Sequence, residues 1–231
     1  MGQGKNLLDF RKKTILDIQK ANILSNISPV DKRKFVRIVA IDDEEFKPLK
    51  NLLADGFLVG FIEDHAETRS LRPYQVVICD VDGIAKDKNS EEHGAAFIQE
   101  IKRVYPEKQI IVFSGLMGNV RKLKLARERA DFYIPKSAQL SIWNETLDSA
   151  IDNCLNPEKI WESAKTKLEK GNVSTKEIAI IEDRYVRSVL NQNPSGLHAF
   201  HSKKKFSDAA EPIVLNLISS IIWTCLSGVP A

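Results

Sequence analysis

The sequence has few cysteines, a small net charge and no long apolar stretch at its start. It has three cysteines in 231 residues, and Cys79, Cys154 and Cys225 lie too far apart to form a CxxC pair. A thiolate metal site or a disulfide framework is therefore not expected, and a reducing cytoplasm fits best. The formal net charge is only +3, which argues against a nucleic-acid partner. The first residues lack the apolar stretch typical of a secretory signal.

The sequence also lacks an uninterrupted apolar run of the roughly 20 residues that a membrane-spanning helix needs. The longest candidate starts at Pro212 and ends at Leu226, and Asn216, Ser219 and Ser220 interrupt it. We expect one helix here that is apolar on all sides. Burial in the protein or in a homodimer is favoured, and a membrane anchor stays open as the weaker alternative.

Short apolar runs alternate with amphipathic stretches through the middle of the chain. The runs predicted as strands are 36–41, 57–62, 75–80, 109–113 and 132–134, with a helix predicted at 44–54 after the first of them. This alternation indicates βαβ units and a buried parallel sheet. We predict a doubly wound, flavodoxin-like α/β domain over residues 35–155, with strand order 2-1-3-4-5.

The residues on either side of this domain are predicted to be helical. An N-terminal arm is predicted for residues 1–34, with a helix at about 5–25. Residues 156–231 are predicted as an all-α module in which Ser174 and Glu177 form a capping box. The nearly balanced charge of this module argues against a DNA-binding output. A protein–protein interaction therefore fits it best.

Polar residues stand at the ends of four predicted strands. They are Asp42 and Asp43 after the first strand, Asp80 at the end of the third, Ser114 after the fourth and Lys136 after the fifth. Ligands of open α/β sheets bind at the carboxyl ends of the strands, so these side chains should converge. Clustered carboxylates raise each other's pKa unless a cation joins them, and Mg²⁺ suits such oxygen ligands. With an ammonium and a hydroxyl beside them, the carboxylates describe a nucleophile that attacks phosphorus.

The stretch from about residue 36 to 151 resembles the receiver domain of response regulators. The matching motifs are Val-Ala-Ile-Asp-Asp-Glu-Glu, which contains Asp42 and Asp43, Val-Val-Ile-Cys-Asp, which ends at Asp80, Ile-Val-Phe-Ser-Gly, which contains Ser114, and Ala-Asp-Phe-Tyr-Ile-Pro-Lys, which ends at Lys136. The resemblance implies a two-component phosphoacceptor in which Asp80 takes the phosphoryl group. Mg²⁺ would be bound by Asp43 directly, by Asp42 mainly through water, by Asp80, and by the backbone carbonyl of Asp82.

The resemblance also implies a switch and partners. Ser114 would move toward the phosphoryl group and Tyr133 would rotate inward behind it, so that a local charge change reshapes a surface. A cognate histidine kinase or a phosphotransfer protein would supply the phosphoryl group. Residues 156–231 would bind an output protein, with a homodimer as a further option. Slow autodephosphorylation could follow, but continuous substrate turnover is not expected.

Two departures from the family pattern leave alternatives open. The loop between Asp80 and Gly94 is long and charged, and Pro135 precedes Lys136 instead of following it. A degenerate receiver that acts as a scaffold without phosphorylation is one alternative.

The other alternative is a haloacid dehalogenase-like phosphatase. Asp80-Val-Asp82-Gly83 resembles the nucleophile motif of that family, in which Asp82 would be the general acid. Against it, the strand that carries Asp42 and Asp43 comes earlier in the chain. The acidic fourth motif could only be Glu182-Asp183, in a helical context.

Overall fold

The chain folds into two compact units. The structure is a computed structural model that describes residues 11–21, 23–25, 27–63, 67–81, 93–115 and 120–228. The sheet unit comprises Leu24–Ile160 and the residues from Ile221 onward. The helical unit comprises the N-terminal segment up to Ile23 together with Trp161–Ser220. The predicted domain limits, at residues 34/35 and 155/156, stay a prediction.

The sheet has five parallel strands in the order β2-β1-β3-β4-β5, which confirms the predicted topology. The strands are β1 Arg37–Asp42, β2 Leu58–Glu63, β3 Val76–Asp80, β4 Gln109–Ser114 and β5 Phe132–Pro135. Every residue of β3 is buried, as are the last five residues of both β1 and β4. Strands covered on both faces need apolar residues at nearly every position, which explains the continuous runs in the sequence.

Helices account for most of the remaining described residues. They are α1 Ile15–Ala21, α2 Pro29–Lys32, α3 Leu49–Ala54, α4 His93–Val104, α5 Val120–Arg129, α6 Leu140–Leu155, α7 Pro157–Lys170, α8 Thr175–Leu190, α9 Ser195–Lys203, α10 Glu211–Ile218 and α11 Ile222–Ser227, with 3-10 turns at Arg33–Phe35 and Thr68–Leu71. One face of the sheet packs in a cluster with α3 and α6, and the other packs with α4 and α5. Cys79 lies in the second cluster and is buried, as expected of a core residue.

One helix start differs from the prediction, and another falls where no comparison is made. The first described helix begins at Ile15, after the non-helical residues 11–14, and the predicted start near residue 5 lies outside the described residues. The helix predicted from Glu44 begins only at Leu49. The physical reason is Pro48, since a proline disfavours helical backbone at the residue before it. The residues directly after β1 are therefore a loop.

The apolar run from Pro212 to Leu226 was wrongly predicted as one helix. It forms α10 and α11, with a break at Ser219 and Ser220. The Ser219 hydroxyl donates a hydrogen bond to the carbonyl oxygen of Leu215 at 2.9 Å, and such side-chain bonds compete with helix continuation. The break also separates the units, because α10 belongs to the helical unit and α11 to the sheet unit. Among the described helices, none is long and apolar enough to cross a membrane.

The helical unit has an apolar core of its own. The rings of Trp161 on α7 and Tyr185 on α8 are stacked with centroids 5.8 Å apart, and both residues are buried. The start of α8 is capped as predicted, because the Ser174 hydroxyl accepts a hydrogen bond from the backbone N–H of Glu177 at 3.2 Å. The Glu177 side chain instead pairs with Lys204, 3.2 Å away.

In the sheet unit, the segment before β1 is fastened by Arg33. Its guanidinium donates two hydrogen bonds to Asp148 of α6, at 2.8 and 2.6 Å, and a third to the carbonyl oxygen of Asp55 at 2.6 Å. It also lies 4.0 Å from the centroid of the Phe57 ring. The hydrogen bonds to Asp148 raise the pKa of Arg33 above its ordinary value, against the opposing effect of burial.

Candidate functional site

The carboxyl ends of the central strands bring the predicted residues together. Asp42 is the last residue of β1, Asp80 the last of β3 and Ser114 the last of β4. Lys136 directly follows β5, and its backbone N–H donates to the carbonyl oxygen of Ser114 at 2.9 Å. Because β1 and β3 are neighbours at the centre of the sheet, their terminal carboxylates face one crevice.

Three carboxylates form a compact acidic cluster at this edge. One oxygen from each of Asp42, Asp43 and Asp80 lies within 4.8 Å of the others. Asp42 and Asp80 are only 2% and 1% exposed, whereas Asp43 is exposed. Burial raises the pKa of Asp42 to about 6; the hydrogen bond from the backbone N–H of Glu44 opposes this rise, and the charge of Asp80 adds to it. The cluster thus concentrates negative charge where water stabilises it poorly.

Lys136 supplies the positive charge of the site. Its Nζ donates to Oδ2 of Asp80 at 2.9 Å, and its side chain is 36% exposed. Burial lowers the pKa of Lys136, but the hydrogen bond to Asp80 and its charge outweigh this effect, so that the pKa lies above its ordinary value. The lysine is therefore a charged ammonium whose outer side remains open to solvent.

Ser114 and Tyr133 lie near each other on neighbouring strands, in different settings. Ser114 is fully buried, and its hydroxyl lies 3.2 Å from the carbonyl oxygen of Gly115 as a hydrogen-bond donor. Tyr133 is partly buried on the face that packs with α4 and α5. The guanidinium of Arg127 on α5 lies 3.4 Å from the centroid of the Tyr133 ring. Arg127 thus covers the residue expected to rotate.

Three of the sequence-based assignments cannot be placed at the crevice. Asp82, the expected backbone ligand and the general acid of the phosphatase alternative, lies outside the described residues. Glu182 and Asp183 lie on α8 of the helical unit. Within that unit they accept hydrogen bonds from the backbone N–H groups of Ile15 and Lys13, at 3.1 and 2.8 Å.

Sequence reasoning missed Phe113 as a neighbour of the site. Nζ of Lys136 lies 5.0 Å from the centroid of the Phe113 ring. Phe113 is paired with Asp80 across β3 and β4, and paired residues of neighbouring strands project to the same face. The alternation of side chains along β4 was therefore a signal that could have identified it.

The residues present fit a divalent cation. Asp42 and Asp80 are buried carboxylates with Asp43 beside them, and burial raises the pKa of Asp42, so a bound cation would stabilise its charged form. Hard oxygen donors of this kind suit Mg²⁺, which commonly binds one or two carboxylates and keeps several waters. The donor set matches that preference, and it contains no sulfur or imidazole ligand.

Comparison with solved structures returned response-regulator receiver domains. The receiver domain of NtrX from Brucella abortus is 24% identical, with 50% of this chain and 98% of that one covered and a TM-score of 0.41. The chemotaxis protein CheY4 from Vibrio cholerae is 16% identical over 50% of this chain and 98% of its own, with a TM-score of 0.39. RcsB from Salmonella enterica serovar Typhimurium is 19% identical over 51% and 98%, with a TM-score of 0.40.

Each of these structures is less than 25% identical to this chain, with a TM-score between 0.39 and 0.41. The parallel sheet in the order 2-1-3-4-5, flanked by helices, matches the flavodoxin-like fold. No protein-family model matches the chain, and no curated protein matches its sequence. These matches cover about half of this chain.

Proposed function

We propose that this chain is a cytoplasmic two-component response regulator that is phosphorylated on Asp80. One observation carries the proposal. The Asp80 carboxylate is buried at the end of β3, bonded to the ammonium of Lys136 at 2.9 Å, and clustered with two further carboxylates. Burial, a positive charge and a cation-binding set around one carboxylate are what nucleophilic attack on phosphorus requires.

In the proposed reaction, an oxygen of Asp80 forms a bond to the phosphorus of the donor. The bond between phosphorus and the leaving group breaks, and the leaving group keeps its electron pair. The negative charge that develops on the phosphoryl oxygens would be met by the Lys136 ammonium and by the Ser114 hydroxyl, which donates a hydrogen bond. Lys136 is already bonded to Asp80, whereas the Ser114 hydroxyl would have to leave the carbonyl oxygen of Gly115.

Asp42, Asp43 and Asp80 would hold Mg²⁺, with the backbone carbonyl of Asp82 as the further ligand expected from the family resemblance. When bound, the ion would supply positive charge next to the transferred group and reduce the repulsion among the carboxylates. Asp43 is the exposed member of the three, so it is the one through which the ion would enter.

The proposed signal passes from the crevice to the surface. Ser114 would follow the phosphoryl group, and Tyr133 would occupy the space behind it, a change that requires its contact with Arg127 to loosen. A histidine kinase or a phosphotransfer protein is the proposed donor. The helical module is the proposed output region for a protein partner, because its nearly balanced charge argues against a DNA-binding output.

The intact mass of the protein after incubation with Mg²⁺ and phosphoramidate tests this proposal. We expect the wild type to gain one phosphoryl group and Asp80→Asn to gain none. The adduct should disappear slowly after removal of the donor, because an aspartyl phosphate is hydrolysed. Acetyl phosphate should give the same result, because the side chains described above act on the phosphoryl group and not on the leaving group of the donor.

Two other outcomes identify the alternatives. Continuous release of inorganic phosphate without an adduct that persists would indicate a phosphatase. Neither adduct nor release would indicate a degenerate receiver that keeps the fold without the chemistry.

A further inference from the structure

Phe113 occupies a special position in the sheet. It lies on β4, opposite Asp80 on one side and opposite Ile134 on the other. Ser114 follows it directly, and Lys136 lies two residues after Ile134. Phe113 therefore lies between the strand that ends at Asp80 and the strand that leads to Lys136.

Lys136 is held at two points. Its Nζ lies 2.9 Å from Oδ2 of Asp80 and 5.0 Å from the centroid of the Phe113 ring. A cation within about 6 Å of an aromatic centroid is attracted to the ring electrostatically. A lysine has a flexible four-carbon stem and three donor hydrogens, so a single hydrogen bond leaves its ammonium free to swing. The ring restricts that freedom.

The ring itself cannot move away easily. Phe113 is 5% exposed. It makes edge contacts with Phe46, at 5.5 Å between centroids, and with Trp143 of α6, at 5.7 Å. Phe46 and Trp143 also contact each other, at 5.4 Å. Three rings that each touch the other two form a rigid support in a close-packed core.

We propose that Phe113 is a positioning residue that holds the Lys136 ammonium beside Asp80 for phosphoryl transfer. The proposal rests on the proposed function and adds a residue to it. The pattern of acid pair, acceptor, hydroxyl and lysine does not include this ring. An aliphatic side chain at the same place would fill much of the space but would not attract the ammonium.

The contact can be observed without any phosphorylation. In protein labelled with ¹³C-lysine, the ε-CH₂ resonance of Lys136 should be shifted upfield of the other lysines by the ring current of Phe113. Lys136→Arg assigns the resonance, because it removes that signal alone. We expect the upfield shift to persist in Trp143→Phe and to be lost in Phe113→Leu.

The effect on the reaction is measured as the rate of Asp80 phosphorylation at saturating Mg²⁺ and phosphoramidate. Phe113→Leu should slow it roughly three- to tenfold, the range expected for loss of one partly exposed cation–ring contact. Trp143→Phe is the matched control, since it alters the core beside Phe113 but keeps an aromatic ring against it, and it should leave the rate nearly unchanged. Phe113→Tyr, which keeps the ring, should retain most of the wild-type rate.

A double variant separates positioning from general loosening of the core. If Phe113 acts through Lys136, then Phe113→Leu combined with Lys136→Met should be no slower than Lys136→Met alone. A further slowing of the double variant would overturn the proposal. It would also be overturned by a Lys136 ε-CH₂ resonance without an upfield shift in the wild type, or by equal slowing in Phe113→Leu and Trp143→Phe.

Failure of the proposed function is recognised separately. If the wild type takes no phosphoryl group, the assignment of Asp80 as acceptor fails. The position of the lysine resonance would still show whether Phe113 holds Lys136.

Discussion

The sheet unit and the helical unit bury different kinds of side chain. Among the described residues, the sheet unit buries Arg33, Asp42, Asp80 and Lys108, all of them ionisable. In the described part of the helical unit the buried polar residue is Ser188, and the rest of the core is apolar or aromatic. Burial of a charge is costly unless partners compensate it.

The four buried residues with charged side chains in the described part of the sheet unit differ in how they are compensated. Arg33 is bonded to Asp148, and Nζ of Lys108 donates to the carbonyl oxygens of Arg72 and Tyr74. Asp42 instead faces the like charge of Asp80. The first arrangement compensates the buried charge, whereas the second adds to the cost of burying Asp42, a cost that the proposed cation would reduce. The two units therefore differ in whether charged side chains lie in their cores.

The largest effect on stability should come from the core of the helical unit. Trp161→Ala removes the ring stacked on Tyr185 and should destabilise this unit by about 3–5 kcal/mol. Hydrogen exchange measured by mass spectrometry should show faster exchange in α7 and α8. We expect the rate of Asp80 phosphorylation to stay unchanged. A fall in that rate would contradict the separation of roles between the two units, because it would show that the helical unit contributes to phosphorylation.

A change at the crevice should slow phosphorylation. Lys136→Met removes the ammonium bonded to Asp80 and should slow phosphorylation about 100-fold, a typical effect of losing one charge-stabilising donor. Lys102→Met is the matched control, because Lys102 pairs with Asp131 away from the crevice. Intact-mass time courses measure both rates. Equal rates for the two variants would show that Lys136 has no special role.

The sequence predicted the strand order and the crevice because each depends on local patterns. Continuous β-branched runs mark buried strands, and the residues at their ends must meet at one edge of the sheet. The fastening of Arg33 to Asp148 was not predicted, because the two residues are 115 positions apart and nothing in either local sequence indicates the pair. The same holds for Phe113, since its contact with Lys136 depends on how β4 and β5 pair.

The break between α10 and α11 was missed for a different reason. Both halves of the run are apolar, so the sequence shows no change of periodicity to indicate that they pack in different units. Two serines are a weak signal for the end of a helix, and neither glycine nor proline stands at the break. Only the tertiary structure shows that α10 packs in one unit and α11 in the other.

The contribution of a compensated buried charge to stability can be tested at Arg33. Arg33→Met should destabilise the sheet unit by about 2 kcal/mol, because Asp148 loses its partner while apolar packing is largely retained. Lys34→Met is the control, since its pair with Asp31 is more than half exposed on both sides and should contribute little. Urea unfolding of the two variants measures the difference. An equal loss would show that the Arg33 contacts add nothing to stability.

The smallest effect is expected at the start of α8. Ser174→Ala removes the cap of the Glu177 N–H and should cost the helical unit about 1 kcal/mol. Ser202→Ala, at an exposed position of α9, should change stability by less than about 0.5 kcal/mol. Thermal unfolding followed by circular dichroism compares the two. If Ser174→Ala proved as neutral as Ser202→Ala, the cap would be one that water replaces without loss.

The position of α11 has a consequence for the order in which the protein can be built. Cys225 of α11 and its neighbour Ile221 pack in the same apolar cluster as the sheet and α6, yet the whole of Trp161–Ser220 is synthesised between α6 and α11. On a ribosome that adds about 5–20 residues per second, domains generally fold from the N-terminus onward. Here the earlier unit cannot complete its core until the later one has been made. The nascent sheet must therefore wait several seconds with part of its apolar surface uncovered, a period in which a chaperone could bind.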